Sequence, residues 1–168
     1  MGGVPLLTTL LNANDLYVKE MAAFALAETC RENRDNQTLA AELGTITAIV
    51  ELLKDSRSSP EIDRVKAEAV GAIWVLSHDH DANKVSIAAK GGITPTVGAL
   101  AAGTIKAQQH SAEAISSLGL GNVSNQIQIT TEVEGRQQSR LRLWERPSRL
   151  LVHPTRRQWR RVVVAAAR

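Results

Sequence analysis

At 168 residues and 43% hydrophobic content the chain can bury one sizeable core, so a single domain is the default. Its one cysteine, Cys30, excludes an internal disulfide and a multi-cysteine metal site, and no secretory leader or apolar run of ~20 residues is present, so a cytoplasmic protein is expected, with the nucleus as the alternative and no membrane contact. The net charge of +3 averages two unlike segments: residues 1–135 hold ten Lys or Arg against sixteen Asp or Glu, while residues 136–168 hold ten Arg, no Lys and only Glu145.

The chain opens on GGVPLLTTLL, a glycine pair before a short apolar helix. The start MGGVPL departs from a myristoylation motif at Leu6, where Ser or Thr is wanted. Asn14 or Asp15 then stands ready to cap a longer helix, in which Val18, Ala22, Ala25, Leu26 and Thr29 fall at offsets 0, 4, 7, 8 and 11 and share one face. A second short helix follows with Asn36 and Ala40 at offsets 18 and 22, and Asp35 as its expected cap.

GTITAIVELLK repeats the opening from Gly44. From Gly44 to Val65 is 21 residues, against 15 from Gly3 to Val18 and from Gly92 to Ala107, so KDSRSSPEIDR carries a six-residue insertion. Ser59 is placed to cap the next helix with Pro60 in its first turn. SRSSP also resembles a proline-directed phosphorylation site, although a solvated loop ending in a cap is the simpler reading.

The stretch from Val65 to Gly92, VKAEAVGAIWVLSHDHDANKVSIAAKGG, is the most legible copy. Val65, Ala69, Ala72, Ile73 and Leu76 repeat the apolar offsets, and Asn83 and Ile87 repeat the pair at 18 and 22. Between them, His78, Asp79, His80 and Asp81 are ligand types, but an i, i+2 pair in a turn lacks the further ligands of any recognised metal spacing, so they read as a polar turn with Asp81 as cap. The third copy runs from GGITPTVGAL through Thr104 as cap to Ala107, Ser111, Ala114, Ile115 and Leu118, and then to Asn125 and Ile129 behind Ser124.

A Gly-hydrophobic start, a Leu-rich short helix, an Ala-rich long helix, then Asn and an aliphatic short helix, in register at periods of 47 and 42 residues, resemble the armadillo repeat. The resemblance covers roughly residues 2–132 and implies an all-α, right-handed superhelical solenoid of about three units, near 2–43, 44–90 and 91–132. Armadillo units have three helices, H1, H2 and H3. This chain would begin at H2 of its first unit and leave an H1-like helix near Ser124–Glu132 without a successor. Ends of that kind predict a fragment of a longer array or self-association through uncapped faces.

The family's H3 helices line a concave groove for extended peptides, and its nuclear-import adaptors place Trp at offset 6 and Asn at offset 10. The matching positions here are Phe24 and Glu28, Gly71 and Val75, and Glu113 and Ser117; offset 3 adds Met21, Glu68 and His110. Only Phe24 keeps an aromatic, so recognition of import signals is not implied. Glu28, Glu68 and Glu113 would make the groove mildly acidic and suit a basic peptide. Trp74, at offset 9, reads equally as groove rim or as packing on a neighbouring unit.

No nucleophile–base pair, GxSxG sequence or phosphate-cradling loop occurs, and Cys30 reads as a small buried hydrophobe, so no enzyme and no cofactor is expected. His110 and His153 have no partner pattern. The expected function is a non-catalytic scaffold or adaptor binding a protein or peptide. Residues 133–168 leave the repeat and are expected to be disordered. Their ten Arg with Trp144 and Trp159 support nucleic-acid binding as the alternative function, or an autoinhibitory arm on the groove. The absence of Lys with excess Arg, Trp and Ala is also what an out-of-frame reading of GC-rich DNA would give, and that reading is preferred.

Overall fold

The computed structural model describes residues 2–145, with side chains through residue 139. Regular structure among the described residues is all helical: α1 (Gly3–Leu10), α2 (Leu16–Cys30), α3 (Arg34–Glu42), α4 (Thr45–Lys54), α5 (Pro60–Ser77), α6 (Asp81–Ala89), α7 (Ile93–Ala102), α8 (Ile105–Gly119) and α9 (Val123–Glu145). The glycine-led short helices are α1, α4 and α7, and the long apolar-periodic ones are α2, α5 and α8. The asparagine-bearing helices, third in order after each glycine start and so called the third helices although they are H1 of the unit that follows, are α3, α6 and α9. Two three-helix units, α3–α4–α5 and α6–α7–α8, are complete.

Packing follows the repeat. The long helices stack on one another, α2 on α5 and α5 on α8, and α1, α4 and α7 each pack on the long helix of their own unit. Small buried residues, Ala22, Ala23, Ala69, Ala72, Ser111 and Ala114, let the long helices approach closely. Ile46, Ile49, Val50, Ile73, Leu76, Ile87 and Leu118 are fully buried between units. At roughly 1.5–3 kcal/mol per buried aliphatic side chain, this shared core stabilises helices that are too short to persist alone.

Glycines mark the unit starts for two separate reasons. Gly44 and Gly91 have φ of 77° and 76°, the left-handed conformation that ends the preceding short helix. Gly92 is required by space instead, since a Cβ there would lie 2.7 Å from Ile87 Cγ2 and 3.1 Å from Val50 Cγ2.

Asparagines stitch the third helices to their neighbours. Asn36, Asn83 and Asn125 each donate from Nδ2 to the carbonyl seven residues earlier, at Thr29 (2.8 Å), Leu76 (2.8 Å) and Leu118 (3.0 Å). These carbonyls lie in the last turn of a long helix, where intrahelical donors run out. Asn83 also donates to the Gln37 carbonyl of α3 at 3.2 Å, and Asn125 to the Lys84 carbonyl of α6 at 3.3 Å, so the ladder runs from unit to unit.

Asp15, Ser59 and Thr104 cap the long helices by accepting from Val18, Ile62 and Ala107. Three expected caps are corrected. Asn33, His80 and Asn122, rather than Asp35, Asp81 and Ser124, accept from the backbone of Asn36, Asn83 and Asn125. The reason is the turn before them, where Glu32, Asp79 and Gly121 stand at one repeat position with φ of 52°, 50° and 71°. That left-handed residue makes the next one the cap, and Asp35 and Asp81 fall in the first helical turn, where they complement the dipole.

Only the third unit has glycine at the left-handed position. Glu32→Gly is therefore expected to raise the unfolding free energy by about 0.5–1 kcal/mol, because relief of side-chain strain outweighs the added chain entropy. Asp79→Gly should gain less, since Asp tolerates this conformation better. Urea unfolding of the two variants checks both values.

The last helix is longer than expected. The short helix placed near Ser124–Glu132 continues as α9 to Glu145, so residues 133–145 are helical where disorder was expected. The chain divides into two compact units between Val133 and Glu134. The remaining tail, with His153 and Trp159, lies outside the described residues, as does the side chain of Trp144.

Candidate functional site

The residues proposed from the repeat offsets lie on the long helices α2, α5 and α8, and their accessibility differs by unit. On α2, Met21, Phe24 and Glu28 form an exposed stripe that Tyr17 extends. On α5, Glu68, Gly71 and Val75 are buried. On α8, Glu113 is exposed, His110 half-buried and Ser117 buried.

The buried positions are covered by the chain itself. Lys106 of α8 forms an ion pair with Glu68, and its amine lies 5.9 Å from the centroid of the Phe24 ring. His110 Nδ1–H donates to the Ala67 carbonyl at 3.0 Å, and its ring occupies the space above Gly71. A Cβ on Gly71 would lie 2.8 Å from that nitrogen. The Val75 carbonyl accepts from Gln37 Nε2 at 2.9 Å, and Ser117 Oγ accepts from Ser77 Oγ at 2.9 Å. A layer from Phe24 through Lys106 and Glu68 to His110 thus fills the middle of the long-helix face.

This layer changes the electrostatics expected from composition. Glu28 pairs with Arg31 at 2.6 Å, and that guanidinium hydrogen bond holds the carboxyl below its ordinary range. Glu68 is neutralised by Lys106. Of the three glutamates, Glu113 alone remains exposed without a direct ion pair within 4.0 Å. Cys30 is fully buried, and burial pushes its thiol up to about 11, so it stays protonated near neutrality. Among the described residues no group of three or more His, Cys, Asp or Glu could hold a metal ion, and no helix is long and apolar enough to cross a membrane.

One cleft of about 270 Å³ lies by the N-terminal ends of α5 and α8, beside Asp63, Lys66 and Thr104, and two more lie toward the C-terminal ends of the long helices. A cleft of about 160 Å³ between α2 and α5 is lined by Arg31, Glu32, Gln37, Trp74, Val75 and His78. A second of about 360 Å³, between α5 and α8, is lined by Trp74, His78, Asp79, Lys84, Ala112, Glu113, Ser116, Ser117 and Leu120. Trp74 and His78 belong to both.

Trp74 is half-buried against the core, and the Arg31 guanidinium sits 5.0 Å from its ring centroid. It therefore does both things the sequence left open, packing on the neighbouring unit and walling the open clefts. Lys84 Nζ is tied to Asp81 at 2.8 Å and to the Leu120 carbonyl at 2.9 Å, which joins α6 to the end of α8 beside the larger cleft. The repeat held one signal for this arrangement, because Ser116 takes in α8 the offset that Trp74 takes in α5.

No protein-family model and no curated protein matches the chain. Solved structures do match. An engineered protein superposes with a TM-score of 0.71 at 23% identity, over 79% of this chain and 51% of that one. A designed armadillo repeat protein in complex with the peptide (KR)4 gives 0.67 at 21% identity, over 78% and 53%. A computationally designed armadillo repeat protein for modular peptide recognition gives 0.67 at 22%, again over 78% and 53%. The chain spans about half the length of these proteins, and its fold is an all-α, armadillo-like repeat solenoid.

Proposed function

We propose that the protein is a non-catalytic scaffold that holds an extended peptide segment along the C-terminal ends of α2, α5 and α8. The observation that carries this reading is the pair of consecutive clefts sharing Trp74 and His78. Clefts between successive stacked helices suit alternate side chains of one extended strand, and an aromatic partition supplies contact area at low entropic cost. Designed proteins of the same fold serve modular peptide recognition and form a complex with (KR)4, which supports a peptide as the ligand class.

Charge narrows the peptide further. Glu113 on the cleft wall, with Asp79 nearby, favours a segment with a basic side chain at the larger cleft. Glu28 and Glu68 contribute little, because Arg31 and Lys106 already satisfy them. Anisotropy titrations of the full chain with labelled alternating Lys–Arg, Ser–Gly and Glu–Ser octapeptides test the reading. Saturable binding of the basic peptide, weakened several-fold by Glu113→Gln, is expected. Equal binding of all three, or of none, would contradict it.

A further inference from the structure

At one position the chain departs from its own repeat. The residue that caps the third helix is Asn33 before α3 and Asn122 before α9, each accepting through Oδ1 from the backbone N–H three residues on. Before α6 the same position holds His80, 6% exposed, whose Nδ1 accepts from Asn83 N–H at 3.4 Å. The other ring nitrogen is assigned by its partner. Thr38 Oγ1 gives its one proton to the Arg34 carbonyl at 2.9 Å, so in its 3.0 Å contact with His80 the Nε2–H is the donor. The cap thus needs a neutral imidazole protonated on Nε2. A second proton would sit on Nδ1, facing an N–H.

The surroundings favour the neutral ring. Burial is the largest influence lowering the His80 pKa, and the Arg34 guanidinium from α3 adds to it, against a smaller pull from the residue's own backbone hydrogen bond and from Asp81. Asp81 is already engaged by Lys84, and the exposed His78 lies 3.5 Å from Asp79. Because the folded value lies below the ordinary 6.5, the stabilisation from His80 is fully present above about pH 6.5 and is lost as pH falls through 6.5 toward the folded value.

What His80 holds is the wall of the larger cleft. The turn it ends carries His78 and Asp79, and the helix it caps carries Lys84, all three lining that space. Resting on the peptide reading for what the cleft takes, we infer that His80 is a proton-operated latch that secures the His78–Asp79–Lys84 wall at neutral pH and releases it on acidification. The other two units, with asparagine in this place, have no such response.

Amide hydrogen exchange on the full chain without a partner, at pH 7.5 and 5.5 and corrected for intrinsic rates, tests the latch. Protection of Asn83 and Lys84 should fall about fivefold relative to the middle of α5 on acidification, the scale of one lost N-cap. His78→Asn should keep this fall. His80→Asn, which copies the cap of the other units, should remove it, and His80→Ser is the second variant should the first fold poorly. A wild-type profile that is flat, or a fall that persists in both His80 variants, would overturn the latch. Since exchange is read without peptide, a latch that responds beside a cleft that binds nothing would contradict the peptide reading alone.

Discussion

Replacing Asn83 with alanine is expected to lower the unfolding free energy by about 3 kcal/mol, the largest effect of any polar substitution in the repeat. Asn83 is 1% exposed and lies in the central ladder, with Nδ2 bonded to the carbonyls of Leu76 and Gln37 and its N–H to His80. Alanine leaves the Leu76 carbonyl, in the last turn of α5, buried without this donor and opens a small void between α3, α5 and α6. The same change at Asn36 should cost only about 1 kcal/mol, because that residue is half-buried and has no earlier third helix to reach. Urea unfolding of the two variants checks the ranking. Equal losses would mean that the asparagines serve each unit separately rather than tying units together.

That ladder was legible in the sequence as a position but not as a bond. Asn36, Asn83 and Asn125 recur at one offset, which exposes the register, whereas the carbonyls they satisfy are backbone groups of other helices and leave no mark in residue identity. The glycine starts were legible for the same reason as the register, since Gly44 and Gly91 are demanded locally by a left-handed turn. The caps of α3 and α6 were missed by one or two residues, because Glu32 and Asp79 adopt a left-handed conformation that neither residue type announces; before α9 the signal was there in Gly121 and went unused.

The site was harder to read. Met21, Phe24 and Glu113 are exposed on their helices, but offsets of ~100° per residue say nothing of side chains arriving from other units. Lys106 on Glu68 and His110 over Gly71 are contacts of that kind, and they cover the middle of α5.

Trp74→Ala is expected to weaken binding of the basic octapeptide on the order of 30-fold, about 2 kcal/mol. The ring walls both clefts, so its loss removes the stacking surface and merges two side-chain sites into one wider, wetter trough. Trp74→Phe should retain most of the affinity, since a smaller ring still separates the clefts. The ring also packs on the core, and circular dichroism with thermal unfolding separates lost folding from lost binding. A folded Trp74→Ala protein with unchanged affinity would move the peptide elsewhere.

Chemical-shift mapping of the isotope-labelled full chain during titration with the Lys–Arg octapeptide locates the bound peptide. Saturable shifts are expected at the Trp74 indole N–H, His78, Glu113, Ser116 and Ser117, with the opposite faces of α4 and α7 unmoved. Shifts confined to other surfaces, or absent at peptide concentrations that saturate anisotropy, would contradict this placement of the peptide.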